Sequence, residues 1–241
     1  MTTNNFLEAR ADELYARMLS AGHRRGMVGP EAPQLLAATK SQSTEAVTAW
    51  LQWCSERGMP LLIGENYVQE AEEKLVTLRQ GFPRLSVHLI GALQRNKVRK
   101  ALELFDVIQS VDRLQLFEEL VRRTPRQQQV MLQINISRDP RKAGFSPEDL
   151  SFVLERCIEH DSLIRPVGLM TITELYASAE DARADYRKMA ELRQQLLGSY
   201  RAAFVDGRCL LSMGMSGDFE VAIEEGADIV RLGSALFGPR S

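Results

Sequence analysis

Short apolar runs alternate with helical patterns along most of this chain. The runs are largely uninterrupted by polar positions, which is typical of strands buried on both faces of a parallel sheet. Eight such runs predict strands over 35–39, 61–66, 87–93, 106–112, 130–136, 166–172, 209–215 and 228–233.

Helical periodicity fills the intervals between these runs. Apolar residues at i, i+3, i+4 and i+7 across 47–54 predict one such helix. A longer helix is predicted over 179–197, capped by Ser178 and ended by Gly198. An additional helix over about 5–24 precedes the first predicted strand.

Eight strands, each followed by a helix, predict an α/β fold of the (β/α)8 TIM-barrel type with an extra N-terminal helix. An open, doubly wound sheet is the alternative, although no GxGxxG fingerprint follows the first strand. No linker or repeat divides the 241 residues, so we expect one domain over 1–241, with 1–25 forming the additional helix.

Composition narrows the possible partners. The net charge of −2 provides no field that would attract nucleic acid, and no apolar run is long enough to span a membrane. The three cysteines form no CxxC pair, and the three histidines are far apart in sequence. We therefore expect a cytoplasmic protein with reduced thiols and no metal site.

Polar residues at the carboxyl ends of the predicted strands are the candidates for chemistry, because active sites of such barrels lie at that end. The candidates are Lys40, Asn66, His88, Gln94, Asn96, Asp112, Asn135, Met170, Thr171, Thr173, 212–216 and 231–234.

Lys40 stands at the end of the first predicted strand. Partial desolvation of an amine favours its neutral, nucleophilic form, which can form a Schiff base with an aldehyde. A lysine that simply extends to solvent from the barrel rim fits the same position.

Two glycine turns near the C-terminus, SMGMSGD and RLGSALFG, follow the seventh and eighth strands. Glycine lets backbone N–H groups approach an anion, and barrel phosphate sites are built from these two loops. The pairing favours phosphate binding over two ordinary strand-to-helix turns. Arg231 lies near this site if its side chain faces inward, but the register of the strand is open.

Seven segments resemble, in order and spacing, the pyridoxal-phosphate homeostasis proteins. They are ATK, IGENYVQE, HLIGALQRNK, QSVDR, QINISRDPRKAG, GLMTI and LSMGMSGDFEVAIEEGADIVRLGSALFGPR. The resemblance extends from about residue 35 to the C-terminus. It implies a barrel like the N-terminal domain of alanine racemase that holds pyridoxal 5′-phosphate (PLP).

The resemblance also implies roles for individual residues. The lysine that forms the Schiff base with PLP matches Lys40, the arginine facing the pyridine nitrogen matches Arg231, and the asparagine near the ring matches Asn66. The phosphate-binding positions fall on Ser212, Met213, Gly214, Met215, Ser216, Gly233 and Ser234. The stretch 39–43 departs from the family pattern, because it lacks the second lysine and the proline that usually follow the Schiff-base lysine.

A PLP carrier is the leading functional hypothesis. An arginine at the pyridine nitrogen makes the ring a weaker electron sink, and racemisation needs acid–base groups on both faces of the substrate, of which Lys40 supplies one. The carrier would store, buffer or deliver PLP, with apo PLP-dependent enzymes as acceptors, and the resemblance favours a monomer. A low-activity amino-acid racemase and a cofactor-free Schiff-base aldolase remain alternatives, and no catalytic residue is established.

Overall fold

The computed structural model describes residues 3–26, 33–174 and 176–238. Parallel strands follow one another around a closed barrel in chain order, and the first strand pairs with the last. This closure confirms the (β/α)8 prediction and excludes the open sheet. The strands are β1 Gln34–Ala38, β2 Leu62–Glu65, β3 Ser86–Leu89, β4 Val107–Val111, β5 Gln128–Ile134, β6 Ile164–Thr171, β7 Leu210–Ser212 and β8 Ile229–Leu232.

Helices surround the barrel and alternate with the strands. The predicted N-terminal helix is confirmed and begins slightly earlier than expected, at Thr3. The helices are α1 Thr3–Arg24, α2 Thr44–Glu56, α3 Val68–Gly81, α4 Val98–Leu104, α5 Leu114–Arg123, α6 Leu150–Glu159, α7 Arg183–Ser199, α8 Phe219–Glu224 and α9 Ser234–Phe237.

The boundaries predicted for α7 are wrong at both ends. A 3-10 turn over Glu180–Ala182 precedes the helix, and the Ser178 amide donates to the Asp181 carboxylate instead of capping α7. At the other end the Tyr200 amide still bonds to the Leu196 carbonyl, so the helix continues past Gly198. Gly198 has no positive φ, and a glycine that keeps helical geometry does not end a helix.

Side chains of the strands form two separate apolar clusters. Outward-facing residues such as Leu35, Ala37 and Val230 pack between the sheet and the helices. Inward-facing residues fill the barrel itself: Leu36, Leu62, Val107, Met131, Met170 and Ile229. Because successive side chains alternate between faces, Arg231 shares the inward face of β8 with Ile229. The structure thus fixes the register that the sequence left open.

No helix in the described part of the chain is long and apolar enough to cross a membrane. Across the same residues, no group of three or more His, Cys, Asp or Glu side chains is arranged to hold a metal ion. The three cysteines are free and buried, and burial raises the pKa of each thiol to about 12.

Candidate functional site

The candidate site lies at the carboxyl ends of β7, β8, β1 and β2, which are neighbours in the closed barrel. In the pairing of β1 with β8, Leu36 lies opposite Arg231. The sequence suggested that Lys40 ends the first strand, but β1 ends at Ala38 and Lys40 follows two residues later. Its side chain is half-buried and forms no hydrogen bond or ion pair with any described residue. The Lys40 amine is therefore available for chemistry at the barrel mouth.

The backbone on either side of Lys40 is held by three charged residues, Glu65, Glu70 and Lys74, which we call the Lys74 cluster. Lys74 lies on α3 with its Nζ atom 3.0 Å from a Glu65 carboxylate oxygen and 2.6 Å from one of Glu70. The same Nζ atom donates to the carbonyl oxygen of Thr39 at 2.7 Å.

Two further contacts complete this arrangement. The Thr39 hydroxyl donates to Glu65 Oε1 at 2.7 Å, and the Ser41 amide donates to Glu70 Oε1 at 2.5 Å. Ser41 has a φ of 60°, a left-handed conformation that is unusual for a residue other than glycine. The Lys74 cluster therefore fixes residues 39 and 41 and, between them, the backbone of Lys40.

Glu65 faces the helix layer rather than the barrel mouth, and its side chain is almost fully buried. Burial raises the pKa of its carboxyl group, while Thr39 and Lys74 act in the opposite direction. Its second oxygen, Oε2, has no partner among the described residues. Glu65 therefore depends strongly on Lys74 as a counter-ion.

Asn66 follows Glu65 at the barrel mouth, and its side-chain oxygen Oδ1 is buried without a hydrogen-bond partner in the described part of the chain. Thr173, in the loop after β6, likewise has a buried hydroxyl without a partner. Buried polar atoms in folded proteins are nearly always bonded. These two atoms therefore indicate that a polar ligand belongs at this end of the barrel.

Gly91 supports Asn66 by close contact of the two backbones. A Cβ atom at Gly91 would lie 2.2 Å from the Asn66 carbonyl oxygen and 2.7 Å from its Cα. Gly91→Ala is therefore expected to displace Asn66 and to lower the free energy of unfolding by about 1–3 kcal/mol, the usual cost of overpacking. Urea unfolding measures this. Gly81→Ala is the control, since a Cβ there meets no atom within 4 Å; equal effects of the two changes would contradict the prediction.

The loop after β7 and the start of α9 together provide free backbone donors. Among the described residues, the N–H groups of Ser216, Gly217 and Ser234 have no hydrogen-bond acceptor. The Ser216 hydroxyl accepts from the Ala235 amide at 3.2 Å and so joins the two loops. Free N–H groups on the loops after the seventh and eighth strands are typical of phosphate sites in barrels.

Met213 and Met215 occupy this loop but do not offer their amides. The Met213 amide bonds to the Ile229 carbonyl, and its side chain is buried in the outer core. The Met215 amide donates to Asp218 Oδ1 at 2.7 Å. Gly214 between them has a φ of 90°, and a Cβ there would lie 2.5 Å from that of Ala222. These residues therefore shape the loop, whereas Ser216 and Gly217 present the free donors.

Asp218 connects the loop after β7 to α7. Its second carboxylate oxygen accepts from the hydroxyl of Tyr186, a buried residue on α7, at 2.7 Å. Burial, followed by the Asp218 charge, raises the pKa of Tyr186, so its hydroxyl remains a donor. Sequence reasoning missed this support, because Tyr186 fits an ordinary apolar helix position.

Arg231 lies buried in the barrel interior, below the mouth. One of its terminal nitrogens, Nη1, donates to the Ser212 carbonyl at 2.6 Å and to the Ser212 hydroxyl at 2.9 Å. The other, Nη2, donates to the Thr171 carbonyl at 2.6 Å. Burial lowers the pKa of the guanidinium to about 10, which still leaves it charged at neutral pH. Its Nε–H has no acceptor among the described residues.

The structure separates the other candidate residues from this group. Asn135 bonds to the carbonyls of Asp139 and Lys142 within its own loop, and Asp112 pairs with Arg113. His88 lies inside the barrel below the mouth, with the side chains of Gln109 and Ser212 between it and Arg231. The basic stretch that contains Gln94 and Asn96 is largely exposed, and two of its charges pair with carboxylates, Arg95 with Glu119 and Lys100 with Glu72.

Known proteins resemble this chain over most of its length. Residues 23–241 match the family model for the alanine racemase N-terminal domain. Over 234 residues the chain is 37% identical to the pyridoxal phosphate homeostasis protein of Aquifex aeolicus, covering 96% of this chain and 97% of that one.

The chain belongs to the pyridoxal phosphate homeostasis protein family.

Solved structures place this family member among barrels of the same kind. PipY of Synechococcus elongatus, solved with PLP bound, has a TM-score of 0.77 and 32% identity, covering 96% of this chain and all of that one. Alanine racemase of Streptomyces lavendulae shares the fold, with a TM-score of 0.66 at 18% identity. This chain covers 58% of the racemase's length.

The family residues recognised in the sequence all lie at one end of the barrel or just below it. Lys40 and Asn66 follow β1 and β2, the segment 212–216 follows or ends β7, and Arg231 and 233–234 end or follow β8. The strand order in the barrel brings these positions together. Their individual roles in ligand binding stay predictions.

Proposed function

We propose that this chain binds PLP as a Schiff base on Lys40 and acts in intracellular PLP homeostasis, storing, buffering or delivering the cofactor. The observation that carries the proposal is the combination at the barrel mouth of a partner-free lysine with free backbone N–H groups on two loops that a hydrogen bond joins. An amine and an anion site at one end of a barrel suit a ligand that carries both an aldehyde and a phosphate.

Different residues at the barrel mouth would bind different parts of PLP. The N–H groups of Ser216, Gly217 and Ser234 would hold the phosphate, and the buried Arg231 would face the pyridine nitrogen. Asn66 and Thr173 have buried polar atoms available to the rest of the ligand. Gly214, with a φ of 90°, shapes the loop that carries the first two of these donors, and Gly233 directly precedes Ser234.

PLP supplies an aldehyde carbon and an electron-accepting ring when it is bound. Lys40 would be the residue that bonds to this carbon through its amine and so would hold the cofactor covalently. Arg231 is a donor only and remains a cation, so it does not deliver a readily lost proton to the pyridine nitrogen. A ring without that proton is a weaker electron sink, which favours a carrier over a carbanion-forming enzyme.

Borohydride reduction tests this function directly. Purified protein incubated with PLP and then reduced should carry a stable phosphopyridoxyl group on the peptide that contains Lys40. The same loaded protein should activate a purified PLP-dependent apoenzyme. A protein that gains no visible absorption band and no reduced adduct does not have the proposed function.

Amino-acid exchange distinguishes a carrier from an enzyme. We expect no turnover-like incorporation of deuterium at the α-carbon when the loaded protein is incubated with a panel of amino acids in heavy water. Rapid exchange that depends on Lys40 would instead identify a racemase. The proposal also includes a cytoplasmic location, one PLP-binding domain over the whole chain, a monomeric state, and apo PLP-dependent enzymes as acceptors.

A further inference from the structure

A continuous line of hydrogen-bonded polar side chains crosses the barrel below its mouth. It runs from Arg231 on β8 through Ser212 on β7 and Gln109 on β4 to His88 and Ser86 on β3. The inward-facing residues around it are apolar, with Leu36, Met131 and Ile229 among them. Buried polar groups are costly unless they are bonded, so the partners within this line must satisfy one another.

Arg231 sets the direction of the first two hydrogen bonds. A guanidinium can only donate, and Arg231 Nη1 lies 2.9 Å from Ser212 Oγ, so this oxygen accepts. The Ser212 hydroxyl then has its own proton available. It donates that proton to Gln109 Oε1, which lies 2.7 Å away on the opposite side of the barrel.

Gln109 passes this direction on to His88. With Oε1 facing Ser212, the amide nitrogen Nε2 faces His88 Nδ1 at 2.7 Å and must donate to it. His88 Nδ1 is therefore unprotonated, and the ring proton lies on Nε2, 3.2 Å from the Ser86 hydroxyl. A neutral ring agrees with burial, which lowers the pKa of His88 to about 4.

We infer that Gln109 and His88 are positioning residues for Arg231, and that the line of hydrogen bonds has one direction, from Arg231 to Ser86. Gln109 Oε1 accepts the hydrogen bond of the Ser212 hydroxyl, which leaves the Ser212 oxygen free to accept from Arg231. The guanidinium is then held by three acceptors, the Ser212 carbonyl, the Ser212 hydroxyl and the Thr171 carbonyl. The consequence for PLP rests on the proposed function, whereas the direction itself does not.

The direction can be measured without PLP. Nitrogen-15 NMR of the PLP-free protein distinguishes the two neutral tautomers of histidine, and the variants His23→Gln and His160→Gln assign the three signals. We expect His88 to carry its proton on Nε2. In Gln109→Glu, the carboxylate can only accept, so we expect His88 to donate from Nδ1 instead. A wild-type His88 protonated on Nδ1 alone would overturn the inference.

The effect on Arg231 can be measured with PLP. Gln109→Met keeps the shape but makes neither bond, and we expect it to weaken PLP binding about tenfold, the scale of one lost hydrogen bond to a polarised group. We also expect Gln109→Met to shift the pH at which the visible absorption band of the PLP-bound protein changes. Gln133→Met is the matched control, since Gln133 on β5 bonds to the Ala143 carbonyl outside the line; it should leave binding and band unchanged.

Each result separates this inference from the proposed function. If the wild-type protein forms no adduct with PLP, the proposed function is wrong. The tautomer of His88 still tests the direction of the hydrogen bonds. A wild-type protein that forms the adduct, together with a folded Gln109→Met variant that binds PLP with unchanged affinity and pH dependence, overturns the positioning role. If Gln109→Met does not fold, Gln109→Leu provides the same comparison, because leucine also makes neither bond.

Discussion

Replacing Lys40 by alanine is expected to abolish the covalent capture of PLP completely. The Lys40 amine is the half-buried, partner-free nucleophile at the barrel mouth, and only a primary amine can form the C=N bond. The phosphate site does not depend on this side chain, so weak non-covalent PLP binding should persist. Borohydride reduction followed by peptide mapping measures the covalent loss, and equilibrium dialysis measures the residual binding.

Two further variants make this result specific. Lys40→Arg keeps the positive charge but remains protonated, so it should lose the adduct as completely as alanine does. Lys97→Ala removes another lysine, in the connection after β3, and should leave the yield of adduct unchanged. An adduct formed by Lys40→Ala at the wild-type yield would show that a different lysine captures PLP.

The barrel fold and the residues at its mouth could be predicted from the sequence. Uninterrupted apolar runs indicated strands buried on both faces, and their alternation with helices indicated the topology that the closed pairing of β1 with β8 confirms. The two C-terminal glycine turns were recognisable because a phosphate site needs small residues next to free N–H groups. Both features are local in sequence, and local patterns are what a single chain reveals.

The inner surface of the barrel could not be predicted in the same way. The orientation of Arg231 depends on strand register, and a shift of one residue would turn it to the outside. Gln109 contacts Ser212 across 103 positions of sequence. No periodicity connects two such residues, because their contact arises only when the sheet closes.

The support behind Lys40 was missed for another reason. Glu70 and Lys74 are four residues apart on α3, a spacing typical of an exposed ion pair on a helix. In the structure Lys74 is buried, because Glu65 at the end of β2 faces the same space between sheet and helix. The Lys74 cluster that holds residues 39 and 41 therefore forms only when α3 packs against the barrel, and sequence spacing alone indicates an ordinary surface pair.

Lys74→Met is expected to have the largest effect on stability of any change behind the site. The substitution keeps the apolar bulk of the side chain but leaves Glu65 buried without its cation and frees the Thr39 carbonyl. Breaking a buried ion pair by removing one partner typically costs about 3–5 kcal/mol. Urea unfolding at neutral pH should show a loss of that size, and the slower capture of PLP by Lys40 should accompany it.

The pH dependence of this loss identifies its cause. Burial already raises the pKa of Glu65, and the variant lacks the Lys74 charge that opposes this rise. A carboxyl group whose pKa is higher in the folded than in the unfolded chain makes the protein less stable as pH rises from about 4, the unfolded value, through the folded value. The deficit of Lys74→Met should therefore be large at neutral pH and shrink toward pH 4. Lys100→Met removes a more exposed lysine that also pairs with two carboxylates, Glu72 and Glu103, and should cost less than about 1 kcal/mol. A Lys74→Met deficit that is equally small, or that does not change with pH, would mean that Glu65 does not depend on Lys74 for its charge.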